Sequence, residues 1–151
     1  INLLKLFIMS NFIDINDYDA SIHSEILDAL TRKDPLVIEI CEERAIAEMR
    51  SSLKERYDVD AIFSARGENR NPLIVMFALD IAIYHIFCIH NPQKLSQMRK
   101  NRYDRAIEWL KSVAKRTISI DGVPTVKESD PEVYSKSPYL MSSNAKKSHH
   151  Y

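Results

Sequence analysis

Few residues of this chain have the type and spacing that catalysis requires. Ser64 and Ser119 have no histidine close to them in sequence, and neither lies in a Gly-x-Ser-x-Gly nucleophile motif. Asp58 and Asp60 could act as a paired acid and base, but acidic residues at a helix end more often cap the helix. Gly67 is isolated, so there is no glycine-rich phosphate loop. We therefore expect a protein that is not an enzyme.

The histidines and cysteines do not form a metal-binding pattern. His23, His85 and His90 lie on separate segments, and the two cysteines, Cys41 and Cys88, are far apart within apolar helical patterns. Isolated thiols of this kind are typical of buried, reduced packing residues. No metal and no other cofactor is predicted.

Asp80 needs a partner more than any other charged residue. It interrupts an otherwise apolar helical stretch, and burying an unpaired carboxylate costs several kcal/mol. We expect a structural ion pair between Asp80 and Arg102, with Arg105 and Arg44 as further candidates. Catalysis by Asp80 is the less favoured interpretation.

Charge is unevenly distributed although the formal net charge is zero. Residues 14–60 contain 13 acidic and 6 basic residues, a balance of −7, whereas residues 93–116 contain 8 basic and 2 acidic residues, a balance of +6. This asymmetry suits head-to-tail contact between copies, because opposite faces attract, but from charge alone two solvated helix faces that meet no partner are the favoured explanation. The residues predicted to form a basic inter-subunit or DNA-channel face are Arg99, Lys100, Arg102, Arg105 and Lys111.

Helices must position these groups. The chain has only 2 glycines, too few for the tight turns of an all-β protein. Hydrophobic periodicity and helix-start signals predict an all-α fold, a small four-helix bundle with an extended C-terminal arm. The predicted helices follow a cap at Asp17 or Asp19, run from the cap Asp34 to about Tyr57, run from Pro72 to His90, and run from about Ser96 to Lys115.

The inward faces of these helices follow from the same periodicity. The first is expected to bury Ile22, Ile26, Leu27 and Leu30, and the fourth to bury Tyr103, Ala106, Ile107, Leu110 and Val113. A loop with a turn at Arg66-Gly67 is expected between the second and third helices.

The third predicted helix is apolar on nearly every side. Such a helix must be enclosed, either by its own bundle or by neighbouring subunits. Its length approaches that of a membrane span, but Asp80 and His85 interrupt it. A buried central helix is the favoured interpretation, and no membrane contact is predicted.

The two ends of the chain differ from its middle. Residues 1–8 precede Met9 and are interpreted as upstream sequence or as an arm, and residues 9–120 as the helical domain. After Ile120, a turn at Asp121-Gly122 and several prolines predict an extended arm over residues 121–151. Its one apolar anchor is the stretch 137–140.

Three stretches together indicate a family. AIAEMRSSLKERYDVDAIF (Ala45–Phe63), RNPLIVMFALDIAIYHIF (Arg70–Phe87) and RYDRAIEWLKSVAK (Arg102–Lys115), in this order and spacing, resemble the Mu-like phage and prophage family of small all-helical neck proteins. That family is related in fold to the head–tail connectors, or adaptors, of long-tailed phages. The resemblance covers residues 12–124.

The resemblance implies a structural protein of the virion neck, present in the host cytoplasm during assembly. Its expected partners are copies of itself in a ring, usually dodecameric, the portal protein, and downstream neck or tail completion proteins. Genomic DNA would pass through the channel without specific recognition. The resemblance also implies that the C-terminal arm docks onto the portal or a neighbouring subunit, with Pro138, Tyr139, Leu140 and Tyr151 as the docking residues. The alternative is a small helical DNA-binding or regulatory protein that uses the basic fourth helix.

Overall fold

The computed structural model describes residues 12–32 and 34–126, and over these ranges the protein is all-helical. Its α-helices are α1 (Ser24–Thr31), α2 (Pro35–Leu53), α3 (Val59–Ser64), α4 (Pro72–His90) and α5 (Gln97–Ala114). Short 3-10 turns occupy Ile15–Ala20, Gly67–Asn69 and Pro92–Lys94. The predicted all-α class is confirmed.

Helix α4 forms the centre of the bundle. Helices α2, α4 and α5 contact one another in pairs, and α1 packs against α4 and α2. Ile74, Ile81 and Ile86 of α4 have no solvent-exposed surface. The sequence left open whether this helix is enclosed by its own bundle or by neighbouring subunits. In the structure, the chain's own bundle covers most of it. Helix α4 is long and apolar enough to span a membrane by length and composition, as many core helices are, and 56% of that window is buried.

The residues predicted to start α2 and α4 cap these helices in the structure. The Asp34 side chain accepts a hydrogen bond from the Leu36 amide at 3.0 Å. Asn71 Oδ1 accepts from the amides of Leu73 and Ile74, at 3.0 and 3.2 Å, and Pro72 occupies the first turn of α4. The predicted bounds of α4 are confirmed at both ends, and those of α5 to within one residue.

The predicted cap of the first helix is wrong. Asp17 and Asp19 lie inside the 3-10 turn Ile15–Ala20, and α1 begins only after His23, which makes no side-chain cap. The physical reason is that Asp17 has two other roles. It closes a capping box with Asp14 and binds Arg70.

Four further predictions need correction. Ile26 is 46% exposed, and Cys88 is exposed because the last turn of α4 extends beyond the core, although Cys41 is buried as predicted. Helix α2 ends at Leu53 and not near Tyr57. The predicted loop contains α3, because Asp58 accepts from the Ala61 amide at 3.0 Å and starts a new helix.

The start of the predicted arm lies against the helical domain. The Ile120 amide donates to the buried Tyr57 hydroxyl at 2.8 Å, and the Asp58 amide donates to Pro124 O at 2.9 Å. An isolated antiparallel bridge joins Tyr57 to Thr125. These contacts fix the chain through residue 126 beside the link between α2 and α3.

An ion pair ties the N-terminal turn to the residue that precedes the cap of α4. Arg70 Nη2 lies 3.2 Å from Asp17 Oδ1, and Arg70 Nη1 donates to Phe12 O at 2.9 Å. Burial would raise the pKa of Asp17, but the hydrogen bonds from Arg70 and the Asp14 amide lower it overall. A depressed pKa means that this pair stabilises the fold above the ordinary carboxyl pKa of 3.8 and less so in acid.

We predict that Asp17→Asn lowers the free energy of unfolding by about 2 kcal/mol at neutral pH, since charged hydrogen bonds are lost. The gap to the unchanged protein should shrink as the pH falls through the folded pKa of Asp17. Urea denaturation between pH 7 and pH 2 measures this gap. Asp19→Asn, at an exposed position of the same turn, is the control. A gap that stays constant down to pH 2 would contradict the assignment.

Candidate interaction surface on helices α4 and α5

Asp80 is the charged centre of the contact between α4 and α5. Its side chain is only 4% exposed; Oδ2 lies 3.4 Å from Arg105 Nη2, and Oδ1 lies 4.0 Å from Arg102 Nη1. The structure thus brings Asp80 together with the predicted partner Arg102, and Arg105 is closer still. Arg44, the third candidate, makes no ion pair with Asp80 in the described part of the chain.

Burial and charge act on Asp80 in opposite directions. Burial raises the pKa of Asp80, and the Arg102 and Arg105 guanidinium groups offset part of that rise. Because the arginine side chains are 38% and 58% exposed, solvent screens their attraction. The pair therefore makes a buried carboxylate tolerable and adds little stability of its own.

Arg99 is half-buried, although the sequence predicted it as exposed. Its Nη2 donates to Ser21 O at 2.6 Å, which joins the start of α5 to the segment before α1. Its Nη1 is also buried and has no hydrogen-bond partner among residues 12–32 and 34–126. Burial, together with repulsion from Arg102, lowers the pKa of Arg99.

Aromatic pairs lie on either side of Asp80 along α4. The Phe77 ring stacks on Trp109 with 4.5 Å between centroids, and the Tyr84 ring stacks on Tyr103 at 3.9 Å. Neither pair was predicted from the sequence. The spacing of Phe77, Asp80 and Tyr84 was the available signal, since residues three, four and seven positions apart share one helix face.

Three polar side chains next to the Tyr84–Tyr103 stack join α4 and α5 to α2. His85 Nε2 lies 2.7 Å from Glu48 Oε1, and the Tyr103 hydroxyl lies 3.5 Å from Glu48 Oε2. Next to this group, a groove of about 190 Å³ runs between α2 and α5. Asp80 lines neither this groove nor a second cavity of about 280 Å³ near Asn71.

The predicted basic face of α5 divides into two flanks. Arg102 and Lys111 are about two and a half helical turns apart, which places them on opposite sides of α5. Arg102 and Arg105 face Asp80 on α4, whereas Lys111 lines the groove beside α2. Lys100 shares the Lys111 side, three turns away. The five basic residues therefore do not form one continuous stripe.

The remaining predicted docking residues cannot be placed. Pro138, Tyr139, Leu140 and Tyr151, like residues 1–8, lie outside the described residues. Among those that are described, no group of three His, Cys, Asp or Glu side chains is arranged to hold a metal ion. What the described geometry offers is contact surface, both charged and apolar.

The fold places the protein in the class of small all-helical proteins. Residues 12–136 match the protein family described as Bacteriophage Mu, Gp36, and the chain belongs to that family. The Mu-like phage resemblance of the sequence is thereby confirmed, and the chain is a phage-associated protein. Comparisons with curated proteins and with solved structures gave no match.

We predict that removing both arginines, as Arg102→Gln with Arg105→Gln, costs about 2 kcal/mol or more of stability at neutral pH. Asp80 would be left buried and unpaired, so its pKa would rise further and the loss would diminish as the pH falls. Asp80→Asn should cost less, because the arginines can turn to solvent. Denaturation at pH 7 and pH 5 measures these effects.

The matched control is Lys100→Gln with Lys111→Gln, which removes the same charge from the other flank of α5. It should change stability by less than about 0.5 kcal/mol, as exposed substitutions usually do. Equal losses from the two double variants would show that Asp80 does not depend on its arginines.

Proposed function

We propose that this protein is a structural, non-catalytic virion component, a head–tail connector subunit that forms a ring below the portal and joins the capsid to the tail. Genomic DNA passes through the ring channel in this proposal. The observation that carries it is the family match over residues 12–136, which covers the helical domain and the first part of the arm. The resemblance of the same stretches to neck proteins supplies the position in the virion.

The surface of the described chain supports association with other proteins. Large apolar side chains are exposed on several elements: Ile15, Ile26, Leu36, Ile40, Leu73, Met76, Ile89, Met98, Ile118 and Val126. A subunit of an assembly needs such contacts, although single exposed apolar residues are common on monomers. The buried side of α4 does not add to this support, because the chain covers it by itself.

The arm has a defined starting point in this proposal. The contacts of Tyr57 and Asp58 hold the chain through residue 126 against the helical domain. Residues beyond that point would then begin from the same place on every subunit of a ring. Many weak contacts made in parallel by such arms give strong attachment to a symmetric portal.

We predict that the chain forms rings, seen by negative-stain imaging or mass photometry, either alone or on the portal ring of the same phage. Tyr139→Ala with Leu140→Ala should weaken portal attachment, because the arm loses its apolar anchor. Ser142→Ala with Ser143→Ala is the control in the same arm. A chain that remains monomeric and never binds portal would overturn the proposal.

A regulatory DNA-binding role is the weaker alternative. Asp80 neutralises part of the charge of Arg102 and Arg105, and Lys111 lies on the opposite flank of α5. Basic residues divided in this way match a duplex backbone poorly.

We therefore predict negligible affinity for duplex DNA at physiological salt, and weak binding that appears only at low salt. Fluorescence anisotropy with a labelled duplex across a salt series measures it. Lys100→Gln with Lys111→Gln tests the exposed flank of α5. Binding at physiological salt that this variant abolishes would favour the regulatory alternative.

A further inference from the structure

The outer groove between α4 and α5 carries one of two exposed apolar and charged surfaces. Leu73 and Met76 of α4 are 39% and 38% exposed, and the Arg105 side chain of α5 is 58% exposed. Trp109 lies half-buried one turn beyond Arg105. We call Leu73, Met76, Arg105 and Trp109 the arginine–tryptophan face.

Phe77 contacts two residues of this face, Trp109 and Arg105. Its ring stacks on Trp109, and Arg105 Cζ lies 5.8 Å from the Phe77 centroid. Phe77 is buried, follows Met76 in the sequence and lies one turn from Leu73. The face therefore combines three exposed side chains and one half-buried side chain with a buried aromatic ring. Tryptophan, arginine and methionine are the side chains enriched at protein interfaces.

The outer side of α2 carries the second surface. Leu36 and Ile40 are 59% and 46% exposed, although large apolar side chains on a helix of this length usually face the core. Glu39 and Glu43 lie three and seven positions after Leu36, on the same side of the helix. We call Leu36, Glu39, Ile40 and Glu43 the leucine–glutamate face. Arg44 lies at its edge, and the face is negative on balance.

The two faces point away from each other. Helices α2, α4 and α5 contact one another in pairs, so they form a triangle in cross-section. The outer side of α2 and the outer groove between α4 and α5 are then on opposite sides of that triangle. One molecule cannot bring its own two faces together, but two copies can.

We propose that the arginine–tryptophan face of one copy docks on the leucine–glutamate face of the next copy. This inference rests on the proposed ring and names the surfaces that build it. Both faces combine apolar side chains with charge. The leucine–glutamate face is negative, and the other face carries the exposed part of Arg105, whose charge Asp80 neutralises only in part. This favours pairing between the two faces over pairing of the leucine–glutamate face with itself. A contact between two different surfaces of the same chain is heterologous, and such contacts give a ring when the rotation from copy to copy closes, and an open filament when it does not.

The test damages each face separately and then mixes the two variants. Met76→Asp places a negative charge opposite the glutamates, and Ile40→Lys places a positive charge opposite Arg105. Each variant alone should require at least about a tenfold higher concentration for half-assembly, as expected for interface residues worth more than 1.4 kcal/mol. Mass photometry of the chain, alone or on the portal ring, measures assembly, and circular dichroism checks that both variants fold.

An equimolar mixture of the two variants gives the sharper result. Each Met76→Asp chain keeps an intact leucine–glutamate face, and each Ile40→Lys chain keeps an intact arginine–tryptophan face. The mixture should therefore form pairs and stop there, since the other face of each partner is damaged. Ile118→Asp, at an equally exposed isoleucine, and Ile15→Lys are controls that should assemble like the unchanged chain.

The outcomes separate this inference from the proposed function. If rings form and neither variant weakens them, the two faces are not the interface, although the ring remains. If only one variant is defective, or if the mixture gives no pairs, the pairing of these two faces is wrong. If the unchanged chain forms no ring even with portal, both the proposed function and this inference fail.

Discussion

The constraint on which the rest of the structure depends is the burial of α4. Its nineteen residues, Pro72–His90, include only one acidic residue, and three of its isoleucines have no exposed surface. Burial of such a segment is the dominant favourable contribution to folding, and it requires neighbours on nearly every side. Helices α1, α2 and α5 supply them. The proposed assembly therefore leaves the buried side of α4 aside and uses only what this helix exposes, such as Leu73 and Met76.

The same burial explains the chemistry around Asp80. A carboxylate in the middle of α4 loses most of its hydration, which raises its pKa. Within residues 12–32 and 34–126, the cations that pair with it come from α5. Two arginines on one side of α5 meet this need while staying partly in solvent. The consequence is that Arg102 and Arg105 serve first to make the burial of Asp80 tolerable, and only their exposed parts are available to a partner.

Much of the helical domain was predictable because its signals are local. Asn71-Pro72 at the start of α4 and Ser96 at the start of α5 act through the amides of the next few residues. The cap of α1 was mispredicted because Asp17 is held by Arg70, more than fifty positions later in the chain. Helix α3 was missed because six residues give too short a period to recognise.

The candidate surface was less predictable for the same physical reason. Sequence spacing shows which residues share a helix face, but not which way that face turns in the bundle. Arg102 and Lys111 were therefore grouped in one basic face, and the closer contact of Arg105 with Asp80 was not distinguished from that of Arg102.

Once the fold is known, support for assembly comes from exposed residues and no longer from the apolar character of α4. An apolar helix suggested neighbouring subunits in the sequence, but the bundle covers most of it. Among the apolar residues that the fold leaves exposed are Leu73 and Met76, close in the chain to Phe77 of the Phe77–Trp109 stack, and Leu36 and Ile40 beside glutamates. A closed ring needs two complementary surfaces on opposite sides of one subunit, and a single large apolar patch would instead favour a two-fold dimer. The distribution of exposed residues therefore fits a ring better than the buried helix ever did.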